Sequence, residues 1–300
     1  MALKKNITPF LVALSYLALI HATMGLRPEH FLLAGFLLFC YFIHPKSRLF
    51  VLDFLPMALF GIFYDFLRII PKSWAGPIHV EGPHRLENFL FGFTSHGVRM
   101  IPNDFFLDHH WAFLDLITGA AYSLHMVVPL VFALGAWLKN RESARQFIWI
   151  FFVMNLLAFL TYIAFPVAPP WYVEQHGFLP PNWSLPSSPA GLIRFDQLTG
   201  FSYFQNIYSK NAWVFGAVPS MHAAFPLLVV LFSRKIFPKA VLPLTLYMLL
   251  IWFSAVYLRH HYVIDLIAGA GYVGLSLQFA KNFLYALYKV KRQDDNLLAG

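Results

Sequence analysis

Eight stretches of almost uninterrupted apolar sequence punctuate this chain, at about 7 to 24, 29 to 44, 49 to 70, 113 to 138, 146 to 165, 215 to 235, 240 to 258 and 262 to 287. Most approach the roughly 20 residues that an α-helix needs to cross a hydrocarbon core about 30 Å thick. In lipid, each segment must satisfy its own backbone polar groups, which leaves the helix as the spanning form. The pattern predicts an all-α, polytopic integral membrane helix bundle of about eight transmembrane helices. Composition agrees: 59% of the 300 residues are hydrophobic and only 12% are charged, which excludes a water-soluble globule. The run at 29 to 44 is the shortest, and it reads as either a steep span or a half-inserted segment. The first run lacks a small-residue cleavage site and meets Arg27, Pro28 and Glu29 directly, so it reads as a span and not as a cleavable leader.

Basic residues test the topology independently, because cytoplasmic loops hold the excess of Lys and Arg. With eight spans and the N-terminus inside, the inner set is Lys4, Lys5, Lys46, Arg48, Lys139, Arg141, Arg145, Arg234, Lys235, Lys239, Lys281, Lys289, Lys291 and Arg292, or 14 of 22. The outer set is Arg27, Arg68, Lys72, Arg85, Arg99, Arg194, Lys210 and Arg259. The expected topology has both termini cytoplasmic. The net charge of +8 then reflects topology and attraction to anionic lipid, with no aromatic-interleaved basic patch for nucleic acid. The single Cys40 excludes an internal disulfide and a cysteine metal site, and no metal or other cofactor is expected. The chain reads as one membrane domain over 1 to 300, with a core at about 49 to 288. Two long outer loops, about 71 to 112 and 166 to 213, are expected to pack as caps at the membrane surface.

Ionisable groups near a bilayer core are costly and point to function by default. Gly216-Ala217-Val218-Pro219-Ser220-Met221-His222 leads into the sixth run. Pro219 suits a first helical position, and exposed amides at that helix start would face an anion, with Ser220 and His222 beside it. Tyr257-Leu258-Arg259-His260-His261-Tyr262-Val263-Ile264-Asp265 opens the eighth run from the same side. His261 and Asp265 are four apart, so they share a helical face and the carboxylate can orient the imidazole, which makes it a base or a nucleophile. Singly, such a histidine is a tolerated interfacial residue, and a His–Asp pair is a cap or half a metal site. Two clusters at the outer ends of different helices favour chemistry.

These two segments resemble the second and third signatures of the type 2 phosphatidic acid phosphatase superfamily, Pro-Ser-x-His followed by a Ser-Arg pattern ending in His-x-x-x-Asp. Together with Ala168-Pro169-Pro170-Trp171-Tyr172, they resemble more narrowly the inositol phosphorylceramide synthase branch, an inositolphosphotransferase group of sphingolipid metabolism. The resemblance covers roughly 110 to 275. It implies metal-independent phosphoryl or phosphodiester transfer through a covalent phosphohistidine, in a six-helix catalytic core. His261 would be the nucleophile, Asp265 its orienting partner, and His222 the acid that protonates the leaving oxygen and later the base. The chemistry asks for the same division: an in-line nucleophile, a proton donor, and donors for the equatorial oxygens, among which Ser220 is a candidate.

The third signature departs from the superfamily pattern, because Ser254 is followed by Ala255 and not by Arg. Arg259 is the nearest cation in sequence that could replace it, and the departure favours a transferase over a phosphatase. The first signature is not cleanly present. Asp65 and Arg68, in Tyr64-Asp65-Phe66-Leu67-Arg68, are candidates for its place, with Arg68 on phosphate and Asp65 on a polyol hydroxyl; Arg68 snorkelling at the interface is the alternative. His110, and Asp115, Tyr122 and His125 spaced by seven and three on one face of the fourth run, are headgroup candidates, or a polar stripe that satisfies its neighbours. Trp171 belongs to the same expected outer site. Gly269, Ala270, Gly271 and Gly274 read as packing residues.

The expected activity moves a phosphorylated headgroup from a lipid donor to an alcohol, at the periplasmic or luminal face. By resemblance the donor is phosphatidylinositol and the acceptor ceramide or a related lipid alcohol, with ping-pong kinetics. A lipid phosphate phosphatase differs only in letting water reach the intermediate. A transporter would show broken helices repeated in two halves, which the sequence lacks.

Overall fold

The computed structural model describes residues 7 to 211 and 213 to 298, with side chains described to 280. Lys4 and Lys5 of the inner set lie outside the described residues, and the side chains of Lys281, Lys289, Lys291 and Arg292 are outside them too. Sixteen helices and strands follow in order: α1 Thr8–Thr23, α2 Pro28–Ile43, α3 Pro45–Phe66, α4 Glu81–Phe91, β1 Phe93–Ser95, β2 Val98–Met100, α5 Pro102–Asp108, α6 Ala112–Ser123, α7 Val127–Lys139, α8 Arg141–Ala164, α9 Pro170–His176, α10 Ile193–Thr199, α11 Tyr203–Tyr208, α12 Met221–Ile236, α13 Val241–Tyr257 and α14 Val263–Leu298. The architecture is the expected all-α membrane bundle; a three-residue antiparallel hairpin in the first outer loop is the one sheet among the described residues.

All eight apolar runs are helical, but they are not equal. Four helices are long and apolar enough to cross a membrane, at Pro45–Phe66, Arg141–Ala164, Pro238–Tyr257 and Val263–Ala280. The fourth run, expected as one helix, is bent by 47° between α6 and α7, and the pair makes a fifth span only if counted together. α1 and α2 are apolar helices of 16 residues, and α12 is equally short. At 1.5 Å per residue such a helix is about 24 Å long, shorter than an average hydrocarbon core.

Lipid is as apolar as leucine, so helices in a bundle are held by close van der Waals contact, which favours small residues at the seams. Ala133, Ala136, Ala144, Ala158 and Ala224 are fully buried where α7, α8 and α12 meet. Rings fill the space around them, with Phe151 and Phe225 at 4.7 Å between centroids. Of the four small residues expected to seat α14, Gly269 does so: a Cβ there would overlap the Ser220 carbonyl oxygen, whereas Gly271 and Gly274 face open space. Near the N-terminal end of α3, buried Asp53 accepts from Trp137 Nε1 at 2.8 Å and from Arg141 Nε at 2.5 Å, tying α3 to the α7–α8 turn.

The two long loops are structured and packed. Val167 pairs by parallel bridges with both His79 and Gly216, which joins the first outer loop, the end of α8 and the approach to α12. The aromatic content of the second loop goes into a small buried cluster of Trp171, Tyr172 and Phe215 with Val80, Ala168 and Ala190.

Candidate active site

α12 begins two residues later than Pro219 suggests. Ser220 is its N-cap, and the Ser220 Oγ accepts from Ala223 N at 3.4 Å, so Pro219 precedes the helix and is not its first residue. Tyr162 of α8 donates its hydroxyl to the Pro219 carbonyl at 2.8 Å, and Ser220 N donates to the Asp265 carbonyl at 3.0 Å, which fixes the turn against α8 and α14. His222 therefore stands in the first turn of α12, where the amides of Met221 and His222 have no intrahelical acceptor.

His261 is the fourth residue of the five-residue connection from α13 to α14. Asn103 of α5 holds that connection, its Nδ2 donating to the carbonyls of Val256 at 3.0 Å and His261 at 2.9 Å. Glu87 of α4, wholly buried, caps α14 by accepting from Val263 N at 2.9 Å and Ile264 N at 3.1 Å, and burial pushes its carboxyl above the usual range. Neither residue announces itself in the sequence, because each stands beside other polar residues in a short helix and nothing local marks its distant contact.

His222 Nδ1 and His261 Nε2 are 3.0 Å apart. The other nitrogen of His261, Nδ1, lies 3.0 Å from the Ala217 carbonyl and 3.3 Å from Asp265 Oδ2. Two acceptors on Nδ1 require the proton there, which leaves the Nε2 lone pair facing His222. Asp265 is fully buried; its Oδ2 also accepts from Tyr262 N at 2.9 Å, so the carboxylate is locked in place. The His222 ring stacks on Tyr122 at 4.3 Å and 15°, with His125 at 4.2 Å. His260, unassigned from the sequence, completes the aromatic shell. It stacks between Tyr122 and Tyr208, lies 3.1 Å from the Pro189 carbonyl through Nε2, and burial pushes it down to about 3. Burial also holds the Tyr208 hydroxyl above its ordinary value.

The histidine pair opens onto a cavity of about 520 Å³. His222, His261, Tyr122, His125 and Arg68 all line it. So do Asn155, Tyr64, Tyr208, Lys210 and Asn211, which sequence reasoning did not select. Arg68 donates from Nε to Asp65 at 2.7 Å and from Nη2 to the Lys210 carbonyl.

Other sequence candidates lie elsewhere. Asp65 is engaged by Arg27, His30 and Arg68, and it braces the start of α2 against the end of α3. Asp115 is buried with Arg194 at 2.7 Å and Tyr257 at 2.9 Å, and His110 approaches it at 3.7 Å. Tyr122 lies seven residues further along α6, and His125 falls in the break between α6 and α7, so the expected stripe is divided between an ion-pair brace and the cavity wall. Arg259 pairs with Glu174 at 2.6 Å, and its carbonyl accepts from Trp171 N at 3.1 Å. Trp171 itself is a core residue of the outer cap, 2% exposed. Ser220 is fully buried at its cap. Among the described residues no group of three or more His, Cys, Asp or Glu side chains could hold a metal.

A model of the PAP2 superfamily matches residues 85 to 279. The chain is 37% identical over 291 residues to the phosphoinositol dihydroceramide synthase of Bacteroides thetaiotaomicron, a match covering 96% of this chain and 94% of that protein. It is 34% identical over 231 residues to the inositol phosphorylceramide synthase of Candida albicans and 30% over 242 residues to the inositol phosphorylceramide synthase catalytic subunit of Saccharomyces cerevisiae. These matches cover 76% and 80% of this chain but 48% and 59% of the fungal proteins. No solved structure matches.

Proposed function

The chain belongs to the PAP2 superfamily, and on that premise we propose that it is a membrane phosphotransferase moving inositol phosphate from phosphatidylinositol to a ceramide or dihydroceramide through a phosphohistidine on His261. The observation that carries this reading is the 3.0 Å contact between His222 Nδ1 and His261 Nε2, with Asp265 and the Ala217 carbonyl behind the nucleophile.

In the first half-reaction, the phosphodiester enters between the two rings. The Nε2 lone pair of His261 forms the P–N bond, the P–O bond to diacylglycerol breaks, and His222, entering as the imidazolium, gives its Nδ1 proton to the leaving oxygen and becomes neutral. His222 then holds a free lone pair. In the second half-reaction it takes the proton of the acceptor hydroxyl, that oxygen attacks phosphorus, the P–N bond breaks, and both histidines regain their resting states. Asp265 stabilises the positive charge that His261 carries while phosphorylated. Tyr122 and His125 fix the His222 ring, and the first amides of α12 supply donors near the equatorial oxygens, with Ser220 capping the helix that presents them.

The reading takes the active site to lie at the periplasmic or luminal face, with both termini cytoplasmic and the chain acting as one membrane domain. The test is to incubate purified protein with headgroup-labelled phosphatidylinositol, with and without dihydroceramide, in the presence of a chelator. Label appearing on the lipid acceptor supports it. Release to water alone would make the protein a phosphatase, and a strict divalent-metal requirement would contradict the phosphohistidine route.

A further inference from the structure

A phosphodiester brings a negative charge into the cavity, so the positive charge around it has to be counted. Arg259 is closed off by Glu174 and does not line the cavity. Arg194 is matched by Asp115. Lys72 is half-buried with its ammonium 3.8 Å from the Trp213 ring centre. Two cationic side chains line the cavity, Arg68 and Lys210, and Arg68 is already paired with Asp65. Lys210 is exposed, and among the described residues its Nζ makes no hydrogen bond or ion pair.

We infer that Lys210 is the cation that binds the phosphate of the donor headgroup, and that Arg68 is a positioning residue that braces it. This rests on the transferase reading above. The bracing is visible from two directions: Arg68 donates to the Lys210 carbonyl, and Tyr64 donates its hydroxyl to Asn211 Oδ1 at 3.0 Å, so the end of α3 grips the segment after α11 on either side of the Lys210–Asn211 peptide. That segment is in turn held by Asn211 Nδ2 to Ser187 Oγ at 3.1 Å. A flexible lysine on a fixed backbone delivers a point charge to a phosphate without demanding one geometry, which suits a group that changes ester partners during the reaction. It also assigns the donor to the cavity wall made by α3 and α11, leaving the deeper apolar wall of Phe60, Phe159 and Phe225 for lipid chains.

Because Lys210 is exposed, its variants should fold, and the experiment can be kinetic. Initial rates would be measured for wild type, Lys210→Gln, Lys210→Arg and Arg68→Lys with phosphatidylinositol as donor and dihydroceramide as acceptor, at low and high salt. Inorganic phosphate would be added as a competitor. We expect Lys210→Gln to raise the donor KM roughly ten- to a hundred-fold, the size of one charge-assisted hydrogen bond, while the acceptor KM stays within about twofold. Lys210→Arg should restore most of the donor affinity. The salt dependence of the donor KM in wild type should flatten in Lys210→Gln, since an exposed charge is screened. Weaker inhibition by inorganic phosphate in Lys210→Gln, together with the raised donor KM, would show that the site reads phosphate from either source. Unchanged inhibition with a raised donor KM would show that it reads the lipid headgroup. An unchanged donor KM, or equal losses for donor and acceptor, would overturn the inference while leaving the transferase reading intact. A wild-type enzyme that moves no headgroup to a lipid alcohol would overturn both.

Discussion

His222 of α12 and His261, two residues before α14, face each other through Nδ1 and Nε2 at 3.0 Å, although they are 39 positions apart in the chain. The two roles are not equivalent. Only His261 has acceptors on its far nitrogen, so only His261 is held with its lone pair outward. His261→Ala should abolish transfer and leave no acid-labile phosphoprotein. His222→Ala should slow turnover by about 10² to 10⁴ and still form the phosphoprotein from a donor with a good leaving group, because the lost function is proton transfer. Phosphoprotein trapping on both variants decides this, and labelling of the His261→Ala protein would reverse the assignment.

Arg259 was the sequence candidate for the missing signature arginine, and its pairing with Glu174 turns that idea into a testable opposition. If Arg259 acts by gripping phosphate, Glu174→Gln frees a guanidinium and should preserve or raise activity. If the pair holds the α13–α14 connection and the Trp171 turn, Glu174→Gln and Arg259→Gln should each lower kcat with little change in donor KM. The double variant should then lose little more than either single one, because both remove the same brace. The geometry favours the second outcome, read from a double-mutant cycle on kcat.

His260 gives the fold an acid-sensitive point. Its folded-state value is pushed down to about 3 by burial, against about 6.5 for the free side chain. A depressed value means that the stabilisation is complete above pH 6.5 and is lost as pH falls toward 3, by up to about 1.4 kcal/mol per unit. His260→Phe keeps a ring between Tyr122 and Tyr208 and removes the titration. The drop in melting temperature from pH 7 to pH 5 in detergent should therefore be smaller in His260→Phe than in wild type; an equal drop would show that other groups carry the acid response.

The bundle was legible in the sequence because a membrane imposes a length and an apolarity that a one-dimensional pattern records directly. The proximity of the histidines was legible for a related reason: His261 and Asp265 are four apart and His222 follows a helix-start pattern, although His261 precedes α14 and meets Asp265 from the connection. What escaped was set by tertiary contact. Nothing local in Glu87 or Asn103 says that its side chain reaches the α13–α14 connection. Asp115 and Tyr122 share a face of α6, yet they lie about two turns apart and Asp115 is taken by Arg194, while His125 falls in the break after Ser123. Pro219 and Ser220 both favour the start of a helix, and the contacts of the turn with α8 and α14 give the cap to Ser220.

Asn155 sits nine residues before the end of α8, about 13 Å down the helix, with its Nδ2 bonded to the Phe151 carbonyl at 2.7 Å and its buried Oδ1 without a partner among the described residues. An unsatisfied acceptor at that depth costs about 1 to 3 kcal/mol. Leucine is close to asparagine in volume and carries no polar atom, so Asn155→Leu should raise the melting temperature in detergent by a few degrees. Because Asn155 lines the cavity that holds the histidine pair, the same change should lower transfer, and the two effects together would mark a residue kept for function at the expense of stability. A lower melting temperature would instead mean that Oδ1 has a partner within the fold, and that Asn155 is part of the scaffold.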